Sequence, residues 1–258
     1  MKKLLLVLFL SAPAICAAAQ IPYSVTKTRP AHPGGPISMR DAILGPENPA
    51  WPESGEPDCV LSERDGSLYL HDTILFLKAG AGVTFGTSVS RNEFGIDGGI
   101  FPGPAGKVAF YRKDESRVRE FPLLDIDSAA VRMIRYPMNG EESEILSLGI
   151  YDPHTGRTAW TLKTHEYLTN VCWSPGGRLF AQTVDRAQHN SELVEINPAD
   201  GSVVRTVLTE HNDAWVEPQD PLRFFPQTDR VFVYSTDNRT GWRNFFLCDH
   251  SGNLRRIV

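Results

Sequence analysis

The feature that most constrains the fold is a strand-turn-strand pattern that recurs along the chain at a regular spacing. Three segments each join two apolar runs through a turn rich in Asp, Asn and Gly: Gly149–Trp160, Val194–Val204 and Phe246–Ile257. Their turn glycines, Gly156, Gly201 and Gly252, are separated by 45 and 51 residues. Glycine adopts positive φ readily, so each segment predicts a β-hairpin.

A second pattern precedes these hairpins and has nearly the same period. Val171–Val184 and Leu222–Ser235 each contain a strand, a polar turn and another strand, and Trp173 and Phe225 lie 52 residues apart. Together the two patterns give about four strands per 45 to 50 residues, which is typical of a β-propeller blade. Helical periodicity is hard to find. The sequence therefore predicts an all-β fold, a β-propeller of four-stranded antiparallel sheets.

A third copy of the second pattern lies upstream and carries a long insertion. The segment "PGPAGKVAFYR" aligns with "WSPGGRLFAQT" at a spacing of 71 residues. The excess over one blade is accounted for by Lys113–Glu142, a polar, proline-bearing connection of a length usually associated with function or disorder. Further upstream, Leu61–Thr73 predicts one more hairpin.

The acidic cluster at the start of that insertion invites comparison with a hydrolase site. Asp114, Glu115 and Ser116 follow the apolar run, as carboxylates and a hydroxyl do in many active sites. We interpret them as structural residues that cap the end of a strand or pair with Arg112 or Arg117. No catalytic residue is predicted among them.

The N-terminus has the features of a cleaved signal peptide. Two lysines precede the apolar run Leu4–Leu10, and small residues follow up to an A-x-A pattern ending at Ala19. We expect residues 1–19 to be a signal peptide and the mature protein to be periplasmic or secreted. Because the apolar run is shorter than the ~20 residues that span a bilayer, we expect no membrane anchor after cleavage.

Composition excludes several functional classes. The mature chain carries 24 basic and 31 acidic side chains, a net charge of −7, and its basic residues form no run. We therefore expect no nucleic-acid partner. Cysteine and histidine spacing suggests no metal site, and no cofactor is predicted. Of the three remaining cysteines, Cys59, Cys172 and Cys248, at most one pair can bridge, and the last two are predicted to be buried thiols.

Six segments in register resemble one family. They are "FYRKDESRV", "IRYPMNG", "YLTNVCWSPGG", "DRAQHNSELVEI", "WVEPQDPLRFFP" and "TGWRNFFLCDHSGNLRRI". In this order they resemble the N-terminal β-propeller of dipeptidyl peptidase IV, of the exported bacterial type in the prolyl oligopeptidase class. The resemblance implies that residues 88–258 form a propeller region, preceded at 20–87 by a divergent segment with a partial blade.

The resemblance also implies a function. In this family an eight-bladed propeller caps an α/β-hydrolase domain, and acidic residues on a projecting segment hold the free N-terminal amine of the peptide. The matching segment is "SRNEFGI", in which Glu93 is the carboxylate that would bind the amine. Arg91 and Asn92 stand where a neighbouring acidic residue is often found. The alternative interpretation of Glu93 is a solvated loop glutamate.

The sequence lacks the chemistry of the whole enzyme. A serine hydrolase of this class needs a G-x-S-x-G elbow followed by Asp and His, and no such motif occurs here. Ser174, in Cys172–Gly176, is predicted to be a turn serine. The leading hypothesis is the substrate-gating propeller of an exported dipeptidyl peptidase without its catalytic Ser-Asp-His domain. The alternative is a stand-alone, non-catalytic periplasmic propeller that binds or scaffolds a partner.

Chain length leads to a further expectation. Residues 20–258 number 239, enough for a partial propeller of about four to five blades at the usual blade length. We expect the uncovered end blades to promote homo-oligomers. We also expect Val231–Ser235, in the last blade, to be among the most exposed apolar strands.

Overall fold

The computed structural model describes residues 59–90, 94–217, 222–225, 228–249 and 251–256. The described residues form 18 β-strands and one short 3-10 helix, Pro104–Gly106. Every strand pairing is antiparallel. The predicted all-β class is therefore confirmed. No helix in the described ranges is long and apolar enough to cross a membrane.

The chain divides into two compact units, one of which is Glu56–Pro221. Its first sheet contains β1 (Leu61–Arg64), β2 (Ser67–Leu70) and β3 (Ile74–Leu77). Its second sheet contains β4 (Val83–Phe85), β5 (Ile100–Pro102), β6 (Val108–Asp114), β9 (Ile145–Asp152) and β10 (Arg157–Thr164). Its third sheet contains β11 (Tyr167–Trp173), β12 (Leu179–Val184), β13 (Asn190–Ile196) and β14 (Val203–His211). A separate hairpin, β7 (Glu120–Asp125) and β8 (Ala130–Arg135), connects β6 to β9.

The hairpins predicted from turn chemistry are present. The segment Leu61–Thr73 contains the β1–β2 hairpin, and the three repeated turns join β9 to β10, β13 to β14 and the last two strands of the chain. Their glycines have φ values of 67°, 77° and 79°. Local turn chemistry thus predicted these connections correctly.

Two apolar clusters hold the sheets of this unit together. One lies between the first and second sheets and includes Leu68, Phe85 and Phe110. The other lies between the second and third sheets and includes Tyr111, Leu148 and Leu179. Each fully buried large apolar side chain contributes about 1.5–3 kcal/mol to stability, so these inter-sheet clusters are the main source of cohesion.

The long connection after β6, which we described from its sequence as polar and expected to be either functional or disordered, is folded and also carries many apolar residues. It folds into the β7–β8 hairpin, in register from Glu120 opposite Arg135 to Asp125 opposite Ala130. Six large apolar side chains of this hairpin are 39–86% exposed: Phe121, Leu123, Leu124, Ile126, Val131 and Met133. Its apolar residues were overlooked because the segment does not belong to the blade repeat.

The other unit consists of Met1–Gly55 and Leu222–Val258, and its described part begins at Leu222. It contains the fourth sheet, with β15 (Arg223–Phe225), β16 (Thr228–Thr236), β17 (Asn244–Asp249) and β18 (Leu254–Arg256) in sequence order. The expectation that Val231–Ser235 is exposed is wrong, because Phe232 and Tyr234 are at most 2% exposed. The segment belongs to β16, which is hydrogen-bonded on both edges by β15 and β17.

No disulfide joins the cysteines of the described ranges, Cys59, Cys172 and Cys248. Cys248 is buried, as predicted, and burial raises the pKa of its thiol to about 12. Cys172 is only half-buried, so the prediction for it is wrong, and Cys59 is exposed. Cys172 lies at an irregularity between β11 and β12, where the register shifts after Thr169.

Candidate functional site

The edge strand of the second sheet is interrupted. β4 pairs with the end of β6 and β5 pairs with its start, on the same edge. Between them, the N–H of Gly86 donates to the carbonyl of Tyr111 at 2.8 Å, and the N–H of Tyr111 donates to the carbonyl of Gly99 at 2.9 Å. The chain therefore leaves the sheet after Gly86 and returns to it at Gly99, and both residues are hydrogen-bonded to Tyr111 of β6. The residues between these two bonds are Thr87–Gly98. We call this segment the inner-strand excursion.

The base of the excursion has room for glycine only. A Cβ added to Gly99 would lie 2.3 Å from the carbonyl oxygens of both Gly86 and Thr87. A Cβ on Gly86, which has φ +70°, would lie 2.6 Å from the Leu68 side chain. Because the atoms opposing Gly99 are backbone, they cannot rotate away, and the two arms of the excursion approach only if this residue has no side chain.

Side chains within the excursion hold it to the sheet. Val89 is 2% exposed and belongs to the cluster between the second and third sheets, against which Ile96 also packs. The hydroxyl of Ser88 donates to the carbonyl of Ile96. The hydroxyls of Thr84 and Thr87 lie 3.0 Å apart and share a hydrogen bond. The two described arms of the excursion, Thr87–Ser90 and Phe94–Gly98, are therefore both held by contacts.

The middle of the excursion contains the residue predicted to bind substrate. The N–H of Phe94 donates to the carbonyl of Ser90 at 2.9 Å, which is the spacing of an α-helical bond. Ser90 has φ 50°. Glu93, with Arg91 and Asn92, lies outside the described residues, so its role as an amine ligand stays a prediction.

An aromatic and cationic stack lies next to the excursion. The ring of Phe94 meets the ring of Tyr167 edge-on, with centroids 4.8 Å apart and an interplanar angle of 85°. The guanidinium of Arg186 lies over the Tyr167 ring at 4.4 Å and reaches a carboxylate oxygen of Glu144 at 3.7 Å. Sequence reasoning missed this group, although Tyr167 and Arg186 begin or lie within two of the matched segments.

Tyr111, at the base of the excursion, is a structural residue. It is 1% exposed, and its hydroxyl donates to the carbonyl of Leu168 in β11 at 3.0 Å. Its ring meets that of Phe101 edge-on at 5.1 Å. Burial raises the pKa of Tyr111 above its ordinary value, so the phenol stays neutral. It therefore ties the base of the excursion to the third sheet.

The acidic cluster at the end of β6 makes one of the predicted contacts, the pairing of Asp114 with Arg112. The hydroxyl of Ser116 donates to Asp114 at 2.6 Å, and Arg112 pairs with the same carboxylate at 2.8 Å. These contacts, first the Ser116 hydroxyl and then Arg112, hold the pKa of Asp114 below its usual range. Glu115 pairs with Lys113 at 3.1 Å. These five side chains pair with one another at the end of the strand.

Other residues that suggest catalysis are also structural. Ser174 is 2% exposed, and its hydroxyl accepts the backbone N–H of Arg178 at 3.1 Å across the β11–β12 turn. Within the described ranges, no group of three or more His, Cys, Asp or Glu residues could hold a metal ion. The excursion and its neighbouring stack are therefore the candidate site.

Comparison with known proteins identifies the family of the chain. Residues 78–258 match the family described as the dipeptidyl peptidase IV (DPP IV) N-terminal region. The four-stranded antiparallel sheets are accordingly the blades of a β-propeller.

Individual relatives are similar over most of this chain. A Bacteroides ovatus protein assigned as a dipeptidyl aminopeptidase IV has 34% identity and a TM-score of 0.68 over 74% of this chain and 28% of its own. The dipeptidyl peptidase 4 of Porphyromonas gingivalis has 21% identity and a TM-score of 0.63 over 77% of this chain and 30% of its own. A Talaromyces marneffei protein assigned as dipeptidyl-aminopeptidase B is 24% identical over 77% of this chain and 27% of its own. The chain thus spans less than a third of the length of these relatives.

Proposed function

The chain belongs to the dipeptidyl peptidase IV N-terminal region family, and from this premise we propose that it is the substrate-gating propeller of an exported serine exopeptidase. In this proposal the chain supplies no catalytic residue. It binds the free N-terminal amine of a peptide and controls access to a hydrolase domain. The observation that carries the proposal is the interruption of the β4–β5 edge opposite Tyr111, between Gly86 and Gly99, in the part of the sequence to which Glu93 belongs.

The proposed chemistry is recognition of an ammonium by a carboxylate. A carboxylate that is shielded from water pairs strongly with an ammonium group and fixes the distance from the N-terminus to the scissile bond. A peptidase that measures this distance removes two residues at a time. The pinched base formed by Gly86 and Gly99 supports the proposal, because a recognition group needs a support that does not shift.

The reaction itself is assigned to a domain with a Ser-Asp-His triad. The relatives named above are dipeptidyl aminopeptidases or dipeptidyl peptidases by name, and this chain matches only part of each. The chain contains no G-x-S-x-G motif. We expect the mature chain alone to hydrolyse no Xaa-Pro chromogenic substrate, and turnover that survives repurification and is blocked by a serine-directed inhibitor would contradict this.

The proposed setting is the periplasm or the extracellular medium. The signal-peptide features of residues 1–19 support it, and the net charge of −7 in the mature chain agrees with a peptide amine as ligand. Fractionation of cells that express the full sequence, with N-terminal sequencing of the product, tests export and cleavage before Gln20.

Calorimetric titration of the mature chain tests the proposed binding. The probe is a Xaa-Pro tripeptide with a free N-terminus, compared with the same peptide after N-acetylation. A hydrogen bond to a charged group contributes about 1.5–3 kcal/mol, so we expect the free amine to bind at least roughly tenfold more tightly. Equal affinities for the two peptides would contradict amine recognition.

Substitution of Glu93 locates the binding group. Glu93→Gln keeps the size and polarity of the side chain but removes its charge, so the preference for the free amine is expected to disappear. The matched control is Asp97→Asn, which removes the other carboxylate of the excursion and is expected to retain the preference. If Glu93→Gln keeps the preference, Glu93 is a solvated loop residue and the site lies elsewhere.

A further inference from the structure

We propose that Tyr167 and Arg186 form a clamp that holds the inner-strand excursion at Phe94, and that both are positioning residues for the residue preceding it. The clamp itself follows from described contacts. Its role in peptide binding rests on the proposed function.

The contacts form a continuous stack. Phe94 presents its ring edge-on to Tyr167, with centroids 4.8 Å apart, and the guanidinium of Arg186 covers the Tyr167 ring at 4.4 Å. Glu144 then pairs with the guanidinium at 3.7 Å. Edge-on aromatic pairs and cation–π pairs are both attractive, so each member restricts the position of the next.

The members come from separate parts of the fold. Phe94 lies in the excursion, and Glu144 directly precedes β9 of the second sheet. Tyr167 begins β11 and Arg186 follows β12, both in the third sheet. The stack thus joins the excursion to the neighbouring sheet at a point beyond the pinched base. The base fixes where the excursion leaves the sheet, whereas the clamp fixes where Phe94 lies.

The side chains of the clamp are more exposed than those of the inter-sheet core. Val89 is buried in the inter-sheet cluster, whereas Phe94 and Tyr167 are only half-buried. The Arg186 side chain is 37% exposed and that of Glu144 is 18% exposed. Loss of the clamp is therefore expected to release the excursion locally and to leave the sheets folded.

Limited trypsin digestion of the mature chain tests the clamp, because Arg91 provides a cleavage point inside the excursion. Cleavage of a folded protein follows the population of the locally open state. We expect Tyr167→Ala to increase the rate of cleavage after Arg91 about tenfold and Arg186→Gln about fivefold, since aromatic and cation–π contacts are of that size. Tyr167→Phe keeps the ring and is expected to cleave at the wild-type rate.

A second ion pair in the same unit supplies the control. Arg117→Gln removes the pair between Arg117 and Glu142, whose side chains are 71% and 50% exposed. The rate of trypsin cleavage after Arg91 in this variant should match that of the wild type. An unchanged rate in Tyr167→Ala and Arg186→Gln would overturn the clamp. A rise at all tryptic sites with a lower melting temperature would overturn it too, because that pattern shows a general loss of stability.

Calorimetric titration of the same variants with the free-amine peptide distinguishes a failure of the clamp from a failure of the proposed function. If both hold, Tyr167→Ala and Arg186→Gln raise the rate after Arg91 and also weaken binding of the free-amine peptide. If the clamp holds and amine recognition does not, the cleavage rates rise while wild type and variants alike show no preference for the free amine. Tyr167→Phe should match the wild type in both measurements.

Discussion

Two insertions interrupt the second sheet, and they differ in what holds them. The inner-strand excursion leaves and rejoins the sheet opposite Tyr111, and its Val89 side chain is buried in the cluster between the second and third sheets. The β7–β8 hairpin connects β6 to β9 and exposes most of its apolar side chains. The first insertion is fixed at its base by close backbone contacts. The second leaves an apolar surface uncovered, which favours association with another molecule.

The hairpin is nevertheless anchored at its base. Arg135 donates to the carbonyls of Glu115 and Val118, at 3.2 and 2.8 Å, and pairs with Glu120 at 3.2 Å. Its distal part has no comparable contacts among the described residues. Both insertions are thus anchored at their bases. They differ in that Phe94 of the excursion packs against Tyr167, whereas most large apolar side chains of the hairpin are exposed.

The largest expected effect comes from filling the base of the excursion. Gly99→Val would place a Cβ 2.3 Å from two backbone carbonyl oxygens, so the two arms must separate. We expect a loss of about 3 kcal/mol in the free energy of unfolding, at the upper end of overpacking effects. Urea denaturation followed by circular dichroism measures it.

The neighbouring glycine supplies the control for this change. A Cβ on Gly98 would meet no atom within 4 Å, so Gly98→Ala should leave the unfolding midpoint close to that of the wild type. Equal midpoints for Gly99→Val and Gly98→Ala would show that the excursion is not pinched and would remove the main contrast with the hairpin.

The next effect concerns the exposed hairpin. Homo-oligomer formation was expected from the sequence, and the hairpin is a candidate surface, with Leu124 60% and Ile126 86% exposed. We expect Leu124→Asp combined with Ile126→Asp to weaken self-association at least about tenfold, because burial of each such side chain contributes roughly 1.5–3 kcal/mol. Sedimentation velocity over a concentration series measures this.

Val204→Asp is the matched control for association. Val204 is 56% exposed on β14, away from the hairpin in the chain, and its substitution should leave association unchanged. A wild-type chain that stays monomeric at all concentrations would contradict the expectation of oligomers. An equal loss in both variants would remove the hairpin as the association surface.

The sequence predicted local features of the fold better than the packing of its insertions. Hairpin turns are encoded by adjacent residues, and those at Gly156, Gly201 and Gly252 form as predicted. The closure of the excursion depends on contacts of Gly86 and Gly99 with Tyr111, which come together only in the folded sheet. No single-sequence pattern identifies such partners.

The wrong prediction of exposure in β16 also arose because the contacts that bury a residue form only in the folded sheet. Phe232 was expected to be exposed because chain length suggested a missing neighbour, but pairing on both edges of β16 buries it. The stack of Phe94, Tyr167 and Arg186 was missed because its members are 19 to 92 residues apart in sequence. The Glu93 segment was identified only through resemblance to a family.

The smallest expected effect is a difference in stability between two variants of the hairpin connection, Ser116→Ala at its base and Ser128→Ala at its tip. At its base, the Ser116 hydroxyl donates to Asp114, whose side chain is 20% exposed, and the pKa of Asp114 is held below its usual range. A carboxyl whose pKa is lower in the folded state stabilises the protein above the unfolded pKa of about 3.9. This contribution is lost as pH falls through the lower, folded value. We therefore expect Ser116→Ala to destabilise the chain by about 1 kcal/mol at pH 7 and by less near pH 2.

The tip of the hairpin offers the same chemistry in solvent. The Ser128 backbone N–H donates to Asp125 at 3.4 Å, and a hydrogen bond from the Ser128 side chain lowers the pKa of Asp125. Because Asp125 is fully exposed, loss of that side-chain bond in Ser128→Ala should not change the melting temperature measurably. Melting curves of both variants at pH 7 and pH 2 test the contrast. If Ser128→Ala shows the larger pH-dependent loss, the tip of the hairpin is packed against another molecule in solution. In that case, the difference between a fixed base and an uncovered tip holds only for the isolated chain.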